Sequence, residues 1–360
     1  MLLNLPDELL LCIAAHAPIP TLATLTLLNR RLHAVFDQYL YTHDMLHDDL
    51  SLLWAACLNR TSIASKSIAA ADSLPPKCRC IAIRHAAIND NPTVLALLLR
   101  RLRCSQTQCP HRIWALHEAV DKGYLGVLGV LVDSGQIDIR SPRPDVDESA
   151  LHRALSRLDF ENRSCDVANM LLDLGAVDAS NVNQRRGVCQ ATVLDAACRN
   201  DQRAIARRLI AIGADINCVD VHNETPVYIA SSGHNLPLLR YLLTCNADPN
   251  VLTVRNRTAL HFAAAFGQEH SMREVMHLLL AAPSINVNAH TPGFGTALHS
   301  AVAHDREMQT QMLLEAGANT ELRDEHGMTP LDVARQMQND RLVAVITAAK
   351  DKRRRERMKL

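Results

Sequence analysis

Seventeen histidines and eleven cysteines are the residues of this 360-residue chain best suited to metal binding, acid–base work or nucleophilic attack. Imidazole titrates near neutrality, and a thiolate is both a nucleophile and a soft ligand. Cys78, Cys80, Cys104, Cys109 and His111 fall close together, but Cys-x-Cys and Cys-x4-Cys-x-His are not the spacings of a tetrahedral zinc site. His117 is followed by Glu118, without the second histidine one helical turn on that a zinc-protease helix needs. Gly123, Gly126 and Gly129 do not follow a strand in the way a phosphate-cradling loop does. No nucleophile stands beside a base. The expectation is therefore a chain without catalytic residues, metal or cofactor, which is not an enzyme.

Charge and hydropathy narrow what remains. Lys plus Arg and Asp plus Glu number 38 each, so no field of one sign draws in nucleic acid or an anionic membrane, and a protein partner is expected. The cysteines are odd in number and scattered, and Asp7 and Glu8 stand where a basic leader would lie. Together these predict a reducing compartment, cytoplasmic or nuclear. The apolar run from Leu9 to Leu28 is broken by His16, Pro18 and Pro20, so no membrane span is expected. Apolar residues make up 48% but aromatics only 3%. That excess of Leu, Ala, Ile and Val suits small, closely packed helices, an all-α fold.

The elements that would carry these side chains recur. Thr225-Pro226-Val227-Tyr228 returns as Thr258-Ala259-Leu260-His261, Thr296-Ala297-Leu298-His299 and Thr329-Pro330-Leu331-Asp332, at spacings of 33, 38 and 33 residues. Weaker copies start at Thr192, Ser149 and Trp114, with further ones at Ile83 to Ala87 and Leu52 to Ala56, nine candidate units in all. In each phrase Thr or Ser caps a helix, Pro fits its first turn, and small pairs such as Ala263-Ala264 permit close packing. A second helix follows, as in Leu236 to Leu243 or Val275 to Leu280, and ends at Gly213, Asn246 or Gly317, types that tolerate a left-handed cap. Polar stretches such as Ala214 to Asn223 then form protruding hairpins or loops.

These motifs resemble the ankyrin-repeat family: the T-P-L-H opening, the L-L-x-x-G-A-D-x-N close carried by Leu209 to Asn217, and the 33-residue period. The likeness is strong from Cys189 to Ala349 and looser from Leu52 to Gly187, where Gly126 and Gly129 weaken a helix and Pro142 and Pro144 interrupt a connection. It implies an ankyrin-repeat solenoid of helix–turn–helix units. His117, His152, His261 and His299 share one slot, where the family uses the ring to bridge neighbouring loops. It also implies a target-binding groove lined by Asp220, His222, Ile229, Arg255, Phe262, His290, Phe294 and Ser300. The target itself is not named by the sequence.

Ahead of the repeats, Leu5-Pro6-Asp7-Glu8-Leu9-Leu10 with Ile13 is followed by Leu22, Leu25, Leu27, Leu28 and Asn29-Arg30-Arg31-Leu32. From Leu3 to about Tyr41 this resembles an F-box, a small helical bundle. The resemblance implies binding of a Skp-type adaptor, and through it a cullin ubiquitin ligase, by Leu5, Pro6, Leu9, Ile13, Leu25, Leu28 and Leu32. The alternative is a scaffold in which the same bundle only caps the open end of the repeats, with no ligase link. The expected domains are an F-box-like segment 1–44, irregular repeats 45–188, regular repeats 189–350 and a basic tail 351–360. That tail is expected to be a solvated helix end, with a nuclear-import signal as the other reading. Longer connections at Leu158 to Asp166, Ser180 to Gln190 and His290 to Gly295 are expected to break the period and to set selectivity.

Overall fold

A computed structural model of the chain describes residues 55–57, 59–69, 76–101, 109–143, 145–156, 163–187, 189–266 and 270–357. Leu5, Pro6, Leu9, Ile13, Leu25, Leu28 and Leu32 lie outside the described residues. Two compact units divide the chain, one within Met1–Ala154 and Asp159–Ala176, the other within Leu155–Leu158 and Val177–Leu360. Among the described residues there are helices and isolated bridges such as Arg143 to Glu148, and no extended strand.

The first unit holds α1 (Thr61–Ala69), α2 (Pro76–Ile88), α3 (Pro92–Arg101), α4 (Pro110–Lys122) and α5 (Leu125–Asp133), followed by α6 (Ala150–Ser156), which runs to the unit boundary, and α7 (Arg163–Asp173). α2 packs on α4 and α3 on α5, so first helices stack on first helices and second on second. Alanine makes the first layer close: Ala82, Ala86, Ala87, Ala115 and Ala119 are all fully buried. Gly126 and Gly129 do not prevent α5. A Cβ at Gly129 would stand 3.3 Å from Met170, so the missing side chain lets a neighbour in. One expected start is displaced. Trp114-Ala115-Leu116-His117 does not open its helix, because α4 begins at Pro110 behind the extended Cys109, where a proline already satisfies the first turn.

The second unit contains α8 (Val193–Arg199), α9 (Arg203–Ile212), α10 (Pro226–Ser232), α11 (Leu236–Thr244), α12 (Ala259–Ala265), α13 (His270–Leu280), α14 (Ala297–Ala303), α15 (Glu307–Glu315), α16 (Pro330–Gln336) and α17 (Asp340–Arg357). Thr192, Thr225, Thr258 and Thr329 cap their helices, each hydroxyl accepting the backbone N–H three residues on. Gly213 and Gly317, at φ 109° and 93°, and Asn246, at φ 61°, end second helices in the left-handed region. Asp201, His234, Asp305 and Gln338, all at positive φ, form the tight turns inside four pairs.

Polar bonds fix the interval between pairs. The Oδ1 of Asn183 accepts the N–H of Asp215, Asn217 that of Asp248, Asn250 that of Asn286 and Asn288 that of Asn319, at 2.7–2.8 Å. These bonds locate the surplus of the 38-residue interval. Asn217, Asn250 and Asn288 each precede a helix-capping threonine by eight residues, so the loop from His290 to Gly295 is of ordinary length and does not break the period. The extra residues lie earlier, between Phe266 and Asn286, which is why the Asn250 bond reaches 36 residues where that of Asn217 reaches 31.

The basic segment at the C-terminal end continues α17 without a break as far as Arg357. Lys350 pairs with Glu321 at 2.9 Å and Arg353 donates to the Ala318 carbonyl at 2.6 Å. Part of that charge therefore binds the preceding pair.

Candidate protein-binding face

The shared histidine slot is structural. In α12, His261 Nε2 lies 3.3 Å from the Gly295 carbonyl oxygen, which only accepts, so Nε2 carries the hydrogen. Nδ1 then accepts from the Thr258 hydroxyl at 2.8 Å. His299 repeats this with the Met328 carbonyl at 3.1 Å and with the N–H of Thr296 on Nδ1. His117 reaches the Ser141 carbonyl at 3.4 Å, but Trp114 stands where these caps have threonine. With no hydroxyl there, His117 Nδ1 is buried without a hydrogen bond. His152 Nδ1 meets the Ser149 hydroxyl at 2.6 Å. Burial drives the His117 and His261 rings down to about 4 and lowers His299 as well. Rings held neutral inside bridging bonds are unsuited to acid–base turnover at neutral pH.

Two buried sulfur groups are equally inert. Cys218 donates to the Asp195 carboxylate at 3.2 Å, and burial raises the Cys198 and Cys218 thiols far above their usual range. Among the described residues no group of three His, Cys, Asp or Glu could hold a metal. Asp195, fully buried, accepts the N–H of Thr192 in a capping box, and burial raises its carboxyl.

What the second unit offers to a partner is the row of hairpin tips and first helices. The tips are joined by main-chain bonds: Val221 N–H to the Cys189 carbonyl at 3.2 Å and Val254 N–H to the His222 carbonyl at 2.9 Å. Asn223 and Asn256, at φ 55° and 54°, turn two of these loops. Of the residues expected to line a groove, His222, Arg255 and His290 are exposed, and Phe262 and Phe294 are half-buried. His290 Nε2 spans 2.9 Å to the Arg323 carbonyl in the next loop. Asp220, Ile229 and Ser300 are buried, so their side chains serve the array. Asp220 closes its own loop by accepting the N–H groups of His222 and Glu224, and Arg199 pairs with both Asp220 and Glu224. Ile229 is a buried residue of α10, and the Ser300 carbonyl in α14 lies 2.9 Å from His304 Nδ1.

Phe262 and Phe294 belong to a group that the repeat slots alone did not mark. Phe262 meets Tyr228 edge-on at 5.6 Å and stacks on Phe266 at 4.9 Å, and Phe266 lies 5.8 Å from His304. Arg257 covers Phe294 at 4.1 Å and Phe266 at 5.3 Å. A signal for this was present in the composition: the chain has only five phenylalanines, and three fall between residues 262 and 294. In the first unit Trp114 lies beneath Arg143 at 4.1 Å and Arg84 at 5.0 Å.

Stacked helix pairs, tips linked edge to edge and slot residues committed to internal bonds define a helical-repeat protein whose role is interaction. Residues 194–291 match the family of ankyrin repeats in 3 copies, and residues 2–42 match the F-box domain. YahD of Escherichia coli (strain K12), named as an ankyrin repeat protein, is 32% identical over 163 residues, 44% of this chain and 79% of its own length. ZDHHC13 of Danio rerio, whose name marks it as a palmitoyltransferase, is 26% identical over 246 residues, 67% of this chain. The nuclear factor NF-kappa-B p105 subunit of Gallus gallus is 25% identical over 219 residues, 59% of this chain. The chain spans 35% of the length of the Danio rerio protein and 21% of that of the Gallus gallus protein. The chain belongs to the ankyrin-repeat family and carries an F-box domain at its N-terminus. No helix among the described residues is long and apolar enough to cross a membrane.

Proposed function

We propose that the chain is the substrate receptor of a Skp-cullin-F-box ubiquitin ligase. The repeats hold a target protein while residues 1–44 dock on the Skp-type adaptor through Leu5, Pro6, Leu9, Ile13, Leu25, Leu28 and Leu32. The observation that carries this reading is the co-occurrence in one chain of an F-box match over residues 2–42 and ankyrin repeats over 194–291. An adaptor-binding module joined to a recognition module brings a bound target close to a transferring enzyme, raising its effective concentration there. On this reading the chain performs no chemistry itself, acts in the cytoplasm or nucleus, and grips its target through His222, Arg255, Phe262, His290 and Phe294. Exposed loop residues on a rigid scaffold are where binding specificity concentrates.

Co-purification tests it. Intact chain is expected to bring down the Skp-type adaptor and cullin, and Leu5→Asp with Pro6→Ala is expected to abolish this while leaving the thermal unfolding of the repeats unchanged. Failure of the intact chain to bind adaptor, or undiminished binding by the double variant, overturns the ligase reading and leaves a scaffold whose first residues cap the repeats.

A further inference from the structure

The aromatic run of the second unit surrounds a cation with unused hydrogen-bonding capacity. The Arg257 guanidinium carbon lies over the Phe294 ring at 4.1 Å and the Phe266 ring at 5.3 Å. A cation held over ring faces makes no hydrogen bond to them, and a planar fork suits bidentate pairing with a carboxylate. Among the described residues no carboxylate pairs with Arg257, nor with the exposed Arg255 two positions before it. The acids of the preceding loop do not compete, because Asp220 and Glu224 are held by Arg199.

Apolar surface lies beside this charge. Phe266 is 39% exposed, and at the loop tips Val254 and Val221 are 60% and 46% exposed. Phe262 joins Phe266 to Tyr228 behind them. In the following loop, two acids stand beside the exposed Arg323. Asp324 is engaged by the N–H groups of His326 and Met328, but Glu325 is half-exposed, and a Cβ at Gly293 would stand 3.9 Å from its Oε1. A bound acid is therefore attracted most directly at residues 255–257, where two arginines stand without a carboxylate partner among the described residues.

We propose that this face takes a segment of the target in which an Asp or Glu side chain, forked by Arg257, adjoins a large apolar side chain resting on Phe262 and Phe266. The inference rests on the reading of this face as the target-binding one, and it adds the chemistry of what is bound.

Selection of a phage-displayed library of random dodecapeptides on the intact chain tests it, with R257Q and R257K screened in parallel. The expected consensus for the parent is an acidic position next to an aromatic or large aliphatic one, and that acidic preference disappears on R257Q. A fluorescein-labelled peptide of the consensus sequence is expected to bind R257Q roughly ten- to a hundredfold more weakly, the loss of a charge-assisted fork. R257K recovers only part, because an ammonium keeps the charge without the planar fork. Melting curves that superimpose on the parent's confirm that the variants are folded; should R257Q fail to fold, R257K against the parent carries the comparison.

A consensus without an acidic position, an acidic consensus unaltered by either variant, or no enrichment at all overturns the proposal. Co-purification of the adaptor is independent of these outcomes. A chain that binds adaptor but selects no acidic peptide loses this inference alone, whereas one that selects the acidic consensus but binds no adaptor loses only the ligase reading.

Discussion

At the scale of single residues, the bridging histidines couple the fold to pH. The His261 ring has an ordinary pKa of 6.5 in the unfolded chain and is held near 4 by burial in the fold. Between those values the unfolded chain takes up the proton and the folded one does not, so stability is complete above about pH 6.5 and falls as the pH drops toward 4. A shift of this size is worth roughly 3–4 kcal/mol at the acid end. Asp195, whose carboxyl is raised by burial, contributes a slope of the opposite sign, so the contribution of one ring is best read as a difference between parent and variant. His261→Gln is expected to be less stable than the parent at pH 7 and to lose less on acidification to pH 4.5, measured by urea unfolding at both values. Equal losses in the two proteins would mean that the ring titrates freely in the fold. The histidine slot could be read from sequence because Thr and His recur three residues apart. The orphaned Nδ1 of His117 could be anticipated only by noticing that Trp114 brings no hydroxyl to that place.

At the scale of elements, one loop is set by close approach. Gly295 sits at φ +65°, and a Cβ there would stand 2.9 Å from the His299 ring and 3.1 Å from Asp324 Cβ. Its carbonyl also accepts the Nε2–H of His261 and the N–H of Thr291. Gly295→Ala therefore combines left-handed strain with a collision against the ring that bridges to the next loop, and a loss of about 2–4 kcal/mol is expected by chemical denaturation. A loss under about 0.5 kcal/mol would show that the loop relaxes freely. Helix starts at Thr225, Thr258 and Thr329 were legible because capping is local chemistry. The start of α4 was not, since the helix there uses Pro110 and an extended Cys109 in place of a hydroxyl cap. The extra residues of the long interval were misplaced for a related reason. The length of the interval points to the connection from His290 to Gly295, whereas the register is held by Asn250 and Asn288, whose partners become evident only in three dimensions.

At the scale of the whole molecule, stability resides in neighbours. α17 packs on α15 and α16 and buries Leu342 and Ile346 completely. Leu342→Asp places an unpaired charge against that surface, at a cost of several kcal/mol. Hydrogen exchange is expected to quicken through α16 and α17 while α8 to α11 keep their protection, as nearest-neighbour coupling requires. Uniform acceleration over the second unit would instead mean that it opens as one body. The order of the repeats was legible because each repeats the same pattern. The arginine over Phe294 was not, because a ring and a cation thirty-odd positions apart carry no spacing rule. The asparagine ladder has a further consequence, in time. Each rung joins residues only 31 to 36 apart, so a pair leaving the ribosome needs no distant partner. It can lock onto the pair before it within roughly 2–7 s at ordinary rates of synthesis, about 5–20 residues per second. Assembly from the first repeat onward would then keep pace with translation and leave little apolar surface waiting for chain not yet made.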